Sequence, residues 1–215
     1  MLSALRRFLP SPRRLAVLFF GIIIPLLIAG EIAEEVLEQE RFAFEQPLML
    51  WLHQHIAPAF TPVTVALHYV GKTATAVAIS LLFAAYYYAR RQRSRAVFVL
   101  LGTALPTAVM FVSKQFFDRA RPEFWPRIIE ETNASFPSGH STFAAALATI
   151  FVLVYWHSPH RRLIVAAAVV FTFLMGFSRI ILGVHYPTDV LVGWITGTSI
   201  VLGLYIVMYH RLPRP

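Results

Sequence analysis

Cysteine is absent from the 215 residues of this chain, and charged side chains are few. Without cysteine, the chain has no disulfide, no thiolate zinc site and no cysteine nucleophile. Charged residues make up 14% of the sequence and hydrophobic residues 57%. A soluble domain carries roughly 25% of the former and about 45–50% of the latter. The hydrophobic residues are concentrated in long runs, which indicates a membrane protein rather than a soluble domain.

Six apolar stretches approach or exceed the length of about 20 residues that a helix needs to cross a bilayer. They lie at residues 15–32, 66–89, 96–113, 141–156, 163–180 and 189–209. The sequence therefore predicts an all-α fold, an integral membrane bundle of six transmembrane helices. We expect a single domain over residues 1–215, with a motif-bearing core at residues 96–209.

Positive charge is concentrated on one side of this predicted bundle. The segments 1–14, 90–95, 157–162 and 210–215 hold 12 of the 19 Lys and Arg residues and none of the 11 acidic residues. Because Lys and Arg in short loops stay on the cytoplasmic side, this bias predicts that both termini are cytoplasmic. Orientation and anionic lipid headgroups then explain the formal charge of +8, and a nucleic-acid-binding patch is disfavoured.

An acidic segment follows the first predicted span. Residues 31–60 begin E-I-A-E-E-V-L-E-Q-E-R-F-A-F-E, which predicts an outer, partly amphipathic helix that lies on the membrane. We expect its glutamates to form a solvated face. The chain before the motifs is therefore expected to contribute topology and no chemistry.

Three predicted outer loops carry polar residues at the ends of spans. The third span ends in K-Q-F-F-D-R-A-R-P, and the fourth begins after S-F-P-S-G-H. The sequence S-R-I-I-L-G-V-H-Y-P-T-D joins the fifth span to the sixth. Because successive spans alternate in direction, all three segments converge at the same outer interface. Charged residues at the edge of a membrane-embedded bundle are costly, so they are candidates for function.

The residue types at these span ends suit a phosphate group. Arg121 and Arg179 offer planar forks to two phosphate oxygens, and Lys114 gives a compact positive charge. The turn at Ser138 and Gly139 presents a hydroxyl and backbone N–H groups at a helix N-terminus, where anions are favoured. Gly139 also lets the backbone approach closely.

Two histidines and an aspartate are candidates for catalysis. A neutral His185 can attack phosphorus while Asp189, four residues later, accepts the ring N–H and stabilises the charged phosphohistidine. His140 can then protonate the departing alkoxide and later activate water. We find no second cluster of carboxylates in the sequence to hold a metal. A metal-independent reaction without a cofactor is therefore expected.

These residues make the chain resemble the type 2 phosphatidic acid phosphatase family. The family's motifs K-x6-R-P, P-S-G-H and S-R-x5-H-x3-D occur here in order at residues 114–122, 137–140 and 178–189. The resemblance implies a six-helix membrane bundle and a phosphohistidine intermediate on His185. It also implies that the phosphate is bound by Lys114, Arg121, Ser138, Gly139 and Arg179.

These observations predict a phosphatase that removes phosphate from a lipid monoester or diphosphate at the outer interface of its membrane. The candidate substrates are phosphatidylglycerol phosphate, phosphatidic acid, undecaprenyl diphosphate and a lipid A phosphate. The expected partners are this lipid and the bilayer, with no nucleic acid. By resemblance, the small size and the arginine-rich loops suggest a bacterial inner membrane, with the active site facing the periplasm or exterior.

Three alternatives stay open on the sequence. A vanadium-dependent haloperoxidase would share the phosphate pocket, but that family is soluble. A transporter or binding protein for an anionic lipid would be expected to show inverted repeats and discontinuous midplane helices, which we do not find. A lipid-to-lipid phosphotransferase would use the same groups, because an acceptor hydroxyl can replace water.

Several other polar residues are expected to have no role in the reaction. We expect Arg119 and Arg127, in the loop after the third span, to be solvated or paired locally, with Arg119 within reach of a headgroup. His68, inside the second span, is expected to face the bundle or the outer interface.

Overall fold

The computed structural model describes residues 12–40 and 42–208, and over these residues it is helical with connecting loops and no strand. The helices are α1 (Pro12–Leu18), α2 (Ile24–Leu37), α3 (Glu45–His55), α4 (Ala57–Val70), α5 (Thr73–Ala89), α6 (Arg93–Phe117), α7 (Gly139–Val154), α8 (Arg161–Ile181) and α9 (Pro187–Met208). A π-helical segment, Phe19–Ile23, joins α1 to α2. The predicted all-α fold class is therefore confirmed over the described residues.

Among the described residues, four helical segments are long and apolar enough to cross a membrane. They are Leu15–Leu37, Arg93–Phe117, Arg161–Ile181 and Pro187–Met208. Helices α4 and α5 supply a fifth candidate if they form one span, although they are bent by 59° at the break between them. Helix α7 is apolar but has only 16 residues. These helices indicate an integral membrane protein, and the number of six spans stays a prediction.

The second predicted span is interrupted. The sequence predicts one helix over residues 66–89, but α4 ends at Val70 and α5 begins at Thr73. Gly71 lies at the break, where glycine's low helix propensity favours an end. A Cβ on Gly71 would lie 2.1 Å from Cδ2 of His140, so this break brings the backbone against a motif residue.

The predicted orientation depends in part on residues at the two ends of the chain. Arg6, Arg7, Arg211 and Arg214, which contribute to the charge bias, lie outside the described residues. The cytoplasmic location of both termini therefore stays a prediction.

The acidic segment 31–60 is divided among the end of α2, the whole of α3 and the start of α4. Its first five glutamates, Glu31, Glu34, Glu35, Glu38 and Glu40, are exposed, as expected of a solvated face. Glu45 differs, because it begins α3 and is only 3% exposed. The expectation of a solvated acidic face is wrong for Glu45, whose carboxylate is paired with Arg119.

Helices α7 and α9 pack closely because two glycines of α9 face α7. A Cβ on Gly193 would lie 2.8 Å from the carbonyl oxygen of Ser138, and one on Gly197 would lie 2.3 Å from that of Thr142. Neither position has room for a side chain, and small residues are what let membrane helices approach this closely. The contact holds the start of α7, with the P-S-G-H motif, against the first three turns of α9.

Candidate active site

A cavity of about 460 Å³ collects most of the predicted site residues. At one end its lining includes Lys114, Arg121, Glu131, Asn133, Gly139, His140 and His185. A larger cavity of about 980 Å³ is lined by apolar side chains such as Leu153 and Leu202 and contains none of the motif residues predicted to act. We therefore place the candidate site in the smaller cavity.

The site is assembled from the ends of helices. Lys114 lies in the last turn of α6, and the chain leaves that helix through Asp118, whose φ of 42° is left-handed. Ser138 caps α7, and Asp189 lies in the first turn of α9. Each motif therefore sits where a helix begins or ends, and the packing of α6, α7 and α9 brings these ends together.

His185 is held between Arg121 and Asp189. Its Nε2 lies 3.3 Å from Nη1 of Arg121, and its Nδ1 lies 3.4 Å from Oδ2 of Asp189. An arginine only donates hydrogen bonds, so Nε2 is the ring nitrogen with the free electron pair and Nδ1 carries the hydrogen. Burial lowers the pKa of His185 to about 3, against the opposing effect of Asp189. The ring is therefore neutral at physiological pH, with Nε2 available to attack an electrophile.

Asp189 is fully buried and its two oxygens have different partners. Oδ2 accepts from the hydroxyl of Ser135 and, at 2.8 Å, from the backbone N–H of Tyr186, in addition to facing His185. Oδ1 lies 2.6 Å from Nη1 of Arg119. With every contact coming from a donor, the carboxylate is stabilised in its ionised form.

Two cations of the first motif are buried beside His185. Lys114 donates through Nζ to the carbonyl oxygen of Ala134. Arg121 donates from Nη1 to the carbonyl oxygen of Val184 at 2.6 Å and from Nη2 to Oδ1 of Asn133 at 2.6 Å. Burial lowers the pKa of Arg121, although Glu131 and Asp189 oppose this effect. These contacts fix the guanidinium plane next to Nε2 of His185.

Arg179, the arginine of the third motif, is fully buried. Its Nη2 donates to Oε1 of Glu131 at 2.6 Å, and its Nη1 donates to Nδ1 of His68 at 3.0 Å. Within the described part of the chain, its Nε has no hydrogen-bond partner. His68 is buried, so of the two positions expected for it, the bundle and the outer interface, it takes the first.

The residues of the P-S-G-H turn do not all face the cavity. The hydroxyl of Ser138 caps α7, accepting from the backbone N–H of Ser141 at 3.4 Å, and the side chain is absent from the cavity lining. Gly139 and His140 do line the cavity. Nε2 of His140 donates to the carbonyl oxygen of His68 at 3.0 Å, so Nδ1 is the nitrogen left for proton transfer.

A group of potential metal ligands exists that the sequence did not reveal. His68, Glu131 and His140 have ligand atoms within 4.8 Å of one another. Arg179, however, already contacts both Nδ1 of His68 and Oε1 of Glu131. A cation at this point would face a guanidinium that is itself positively charged, so the group is poorly suited to hold a metal.

Four titratable residues outside the predicted set enter the site, namely Glu45, Arg119, Glu131 and His68, and the polar side chains of Asn133 and Ser135 enter it as well. The expectation that Arg119 is solvated or paired locally is wrong, since its side chain is only 10% exposed and contacts Glu45 and Asp189. Arg127 does pair locally, with Glu123 at 3.1 Å. For Glu45 and Glu131 the only sequence signal was charge next to a membrane-embedded segment, which did not distinguish them from solvated neighbours. For His68 the signal was a polar side chain inside a predicted span.

A family model and individual relatives place this chain in the same protein family. The model of the PAP2 superfamily matches residues 95–213, more than half of the chain. Phosphatidylglycerophosphatase B of Bacillus subtilis is 28% identical over 187 residues, which cover 84% of this chain and 86% of that protein. The lipid A 1-phosphatase of Rhizobium etli is 31% identical over 137 residues, which cover 56% of each chain.

A solved structure has a similar fold. The crystal structure of the transmembrane PAP2-type phosphatidylglycerolphosphate phosphatase from Bacillus subtilis superposes with a TM-score of 0.74. The match covers 89% of this chain and 97% of that chain at 24% sequence identity. The helices described above are therefore arranged as in a known membrane protein.

Proposed function

This chain belongs to the PAP2 superfamily, and on that basis we propose that it is a membrane-embedded lipid phosphatase. It hydrolyses a phosphate monoester or diphosphate of a lipid through a phosphohistidine on His185. The observation that carries this proposal is the position of Nε2 of His185, 3.3 Å from Arg121 and in the same cavity as Lys114 and His140. A free nitrogen electron pair and two cations at one point match the needs of phosphoryl transfer.

In the first step, Nε2 of His185 forms a bond to phosphorus while the bond from phosphorus to the lipid oxygen breaks. Arg121, Lys114 and Arg179 neutralise the phosphoryl oxygens, whose charge is spread in the transition state. Protonated His140 gives a proton to the leaving oxygen, so that the lipid departs as a neutral alcohol or as a lipid monophosphate. Asp189 stabilises the positive charge that the His185 ring acquires.

In the second step, water attacks the phosphohistidine. His140, now neutral, takes a proton from the water as the new oxygen–phosphorus bond forms. The bond from phosphorus to Nε2 breaks, and inorganic phosphate leaves. His185 returns to its neutral form, in which Asp189 again accepts the Nδ1–H.

The remainder of the cavity supports a lipid as substrate. Beyond the cationic end, it runs between α5 and α6, with a wall that includes Val77, Leu81, Leu100 and Phe111. These side chains are about half exposed. The part of α6 from Leu100 to Lys114 extends roughly 21 Å at 1.5 Å per residue. An acyl or prenyl chain placed along it would stay in the apolar phase while its phosphate reaches His185.

Six spans with both termini in the cytoplasm would put this cationic end at the outer membrane interface. The distribution of arginines supports that orientation, and it agrees with a bacterial inner membrane and a site facing the periplasm or exterior. The names of the relatives favour a glycerophospholipid phosphate or a lipid A phosphate, and undecaprenyl diphosphate has the same reacting group. The reaction is proposed to need no metal, since Arg179 already faces the potential ligands His68 and Glu131.

Purified full-length protein and a panel of lipid phosphates test the proposal. We expect phosphate release in the presence of EDTA and inhibition by orthovanadate, which mimics the five-coordinate phosphoryl group. His185→Ala should abolish turnover, and Asp189→Asn should lower it by about 10⁴-fold, the loss typical of a mis-oriented catalytic histidine. Normal turnover in His185→Ala would refute the mechanism, and strict dependence on added zinc or magnesium would refute the metal-independent step.

A further inference from the structure

A buried ionic network contacts Asp189 at the oxygen that does not face His185. Nη1 of Arg119 lies 2.6 Å from Oδ1 of Asp189, and its Nη2 lies 2.9 Å from Oε2 of Glu45. The side chains of Arg119, Glu45 and Asp189 are 10%, 3% and 0% exposed. One guanidinium therefore pairs with two buried carboxylates.

Glu45 also holds the first turn of α9. Its Oε1 accepts from the backbone N–H of Thr188 at 3.2 Å and from the Thr188 hydroxyl at 2.5 Å. Arg119 donates to the same hydroxyl at 2.9 Å. Thr188 immediately precedes Asp189, so the network restrains both the backbone and the carboxylate at this position.

The guanidinium of Arg119 has little freedom to leave this arrangement. Its Cζ lies 4.0 Å from the centre of the Tyr186 ring, at the distance of a cation–π contact. The guanidinium is planar, stacks on the ring of Tyr186 and donates from its two Nη atoms to two different carboxylates. A lysine ammonium group does not reproduce this geometry. The type of residue therefore matters here as well as its charge.

The charges in this network are interdependent. Removing one partner of a buried ion pair leaves an uncompensated charge, which destabilises far more than removing both partners. Without Arg119, Glu45 and Asp189 would be two neighbouring buried carboxylates, and like charges at one site drive one of them to take up a proton. Burial already raises the pKa of Glu45, against the opposing effects of Thr188 and Arg119.

We propose that Glu45 and Arg119 are positioning residues that keep Asp189 ionised and directed at His185, an inference that rests on the proposed function. Arg119 occupies Oδ1 of Asp189 and so leaves Oδ2 for Nδ1 of His185. Glu45 orients and balances Arg119 from a helix that precedes the residues matched by the family model. The other charged groups that act on Asp189 or are influenced by it are His185, Lys114 and Arg121.

A double-mutant cycle in full-length protein tests this role. Arg119→Met should slow phosphoenzyme formation in a single turnover by roughly 10–100-fold, the loss seen when the hydrogen-bond partner of a metal-binding side chain is removed. KM should change by less than about threefold, because Arg119 does not line the cavity in which we place the phosphate. Adding Glu45→Gln to this variant removes the competing carboxylate and should restore at least about tenfold of the rate.

The pH dependence of the same rate distinguishes electrostatic positioning from a structural role. In wild type the rate should fall at low pH, and we call this part of the profile the acid limb. Arg119→Met should move the acid limb to higher pH by about one unit or more, because a proton shared by Glu45 and Asp189 removes the negative charge that orients His185. The double variant should return the limb to its wild-type position. Arg119→Lys keeps the charge without the fork, so it should keep the wild-type limb at a reduced rate.

Arg127→Met is the matched control. Arg127 lies in the same loop and pairs with nearby Glu123 and the carbonyl oxygen of Pro122, so this variant should keep the wild-type rate and pH dependence. An unchanged acid limb in Arg119→Met would overturn the proposal, and so would a double variant no better than Arg119→Met. If Arg119→Met does not fold, Arg119→Lys is measured in its place. An acid limb shifted by about one unit in Arg119→Lys would overturn the proposal. Turnover that survives in His185→Ala would instead refute the proposed function itself.

Discussion

Oε1 of Glu131 lies 2.6 Å from Nη2 of Arg179, inside the group of cations that we propose to bind phosphate. Its Oε2 is 3.9 Å from Nη2 of Arg121. One carboxylate of the loop between α6 and α7 therefore lies between two arginines that a phosphate would also bridge. A substrate phosphate has to displace this carboxylate or share the arginines with it.

Glu131→Gln should strengthen the binding of anions that mimic the phosphoryl group. A hydrogen bond to a charged group contributes about 1.5–3 kcal/mol, so losing this competitor should lower the inhibition constant of orthovanadate by roughly tenfold or more. The measurement is inhibition of lipid phosphate hydrolysis at fixed pH. Glu130→Gln, the same charge change at the exposed neighbouring position, should leave the inhibition unchanged. Weaker inhibition in Glu131→Gln would mean that Glu131 organises the arginines instead.

His140→Ala should show a loss that depends on the leaving group. A lipid alkoxide needs a proton as it departs, so phosphoenzyme formation should slow by roughly 10²–10⁴-fold, the range of general acid catalysis. An activated aryl phosphate leaves without this help and should be affected much less. Because His140 is also the proposed base for water, labelled phosphate should accumulate on His185. Equal single-turnover losses on both substrates, with no trapped phosphoenzyme, would assign His140 to binding alone.

The ring of His185 should stay neutral at pH values where histidines ordinarily titrate. Burial lowers its pKa to about 3, below the ordinary value of about 6.5. The folded protein then binds fewer protons here than the unfolded chain. The contribution of His185 to stability is therefore full above about pH 6.5 and is lost as the pH falls toward 3. Nitrogen NMR of histidine-labelled protein, with His185→Ala to identify the signal, measures this directly. A ring that titrates near its ordinary value would contradict the prediction.

The proposed orientation can be tested in intact cells, because the chain contains no cysteine. Ser94→Cys lies at the start of α6, and Thr132→Cys lies at an exposed position in the loop before α7. An impermeant thiol reagent added outside should label Thr132→Cys at once and Ser94→Cys only after the membrane is opened. Asn133 is avoided because it accepts a hydrogen bond from Arg121. Labelling of both positions from outside would overturn the six-span arrangement.

Local sequence was sufficient for the all-α fold class and for the positions of the motifs. Apolar runs longer than most globular helices predict membrane helices, and the all-α class follows from them. The break at Gly71 was missed, because a glycine inside an apolar run is compatible with both a continuous and an interrupted helix. What decides it is the packing of that glycine against His140, a residue far away in the chain.

The contacts that surround Asp189 and Arg179 could not be predicted from the sequence. Glu45 is separated from Arg119 by 74 positions, and His68 from Arg179 by 111. A glutamate in an acidic run looks the same whether it is solvated or buried, since only a partner from another segment decides which. Arg119 was misjudged for the same reason.

By itself, the sequence determined that this chain is a helical membrane protein of the PAP2 superfamily and which residue types stand at the ends of its helices. These properties depend on hydropathy and on spacing along the chain, which are local. Only the tertiary structure decided which carboxylates those cations face. The close packing of α7 and α9 at Gly193 and Gly197, together with the return of α3 to the start of α9, brings distant charges within hydrogen-bond distance. The physical reason is that the energy of a buried charge depends on its neighbours in space, and sequence order does not specify them.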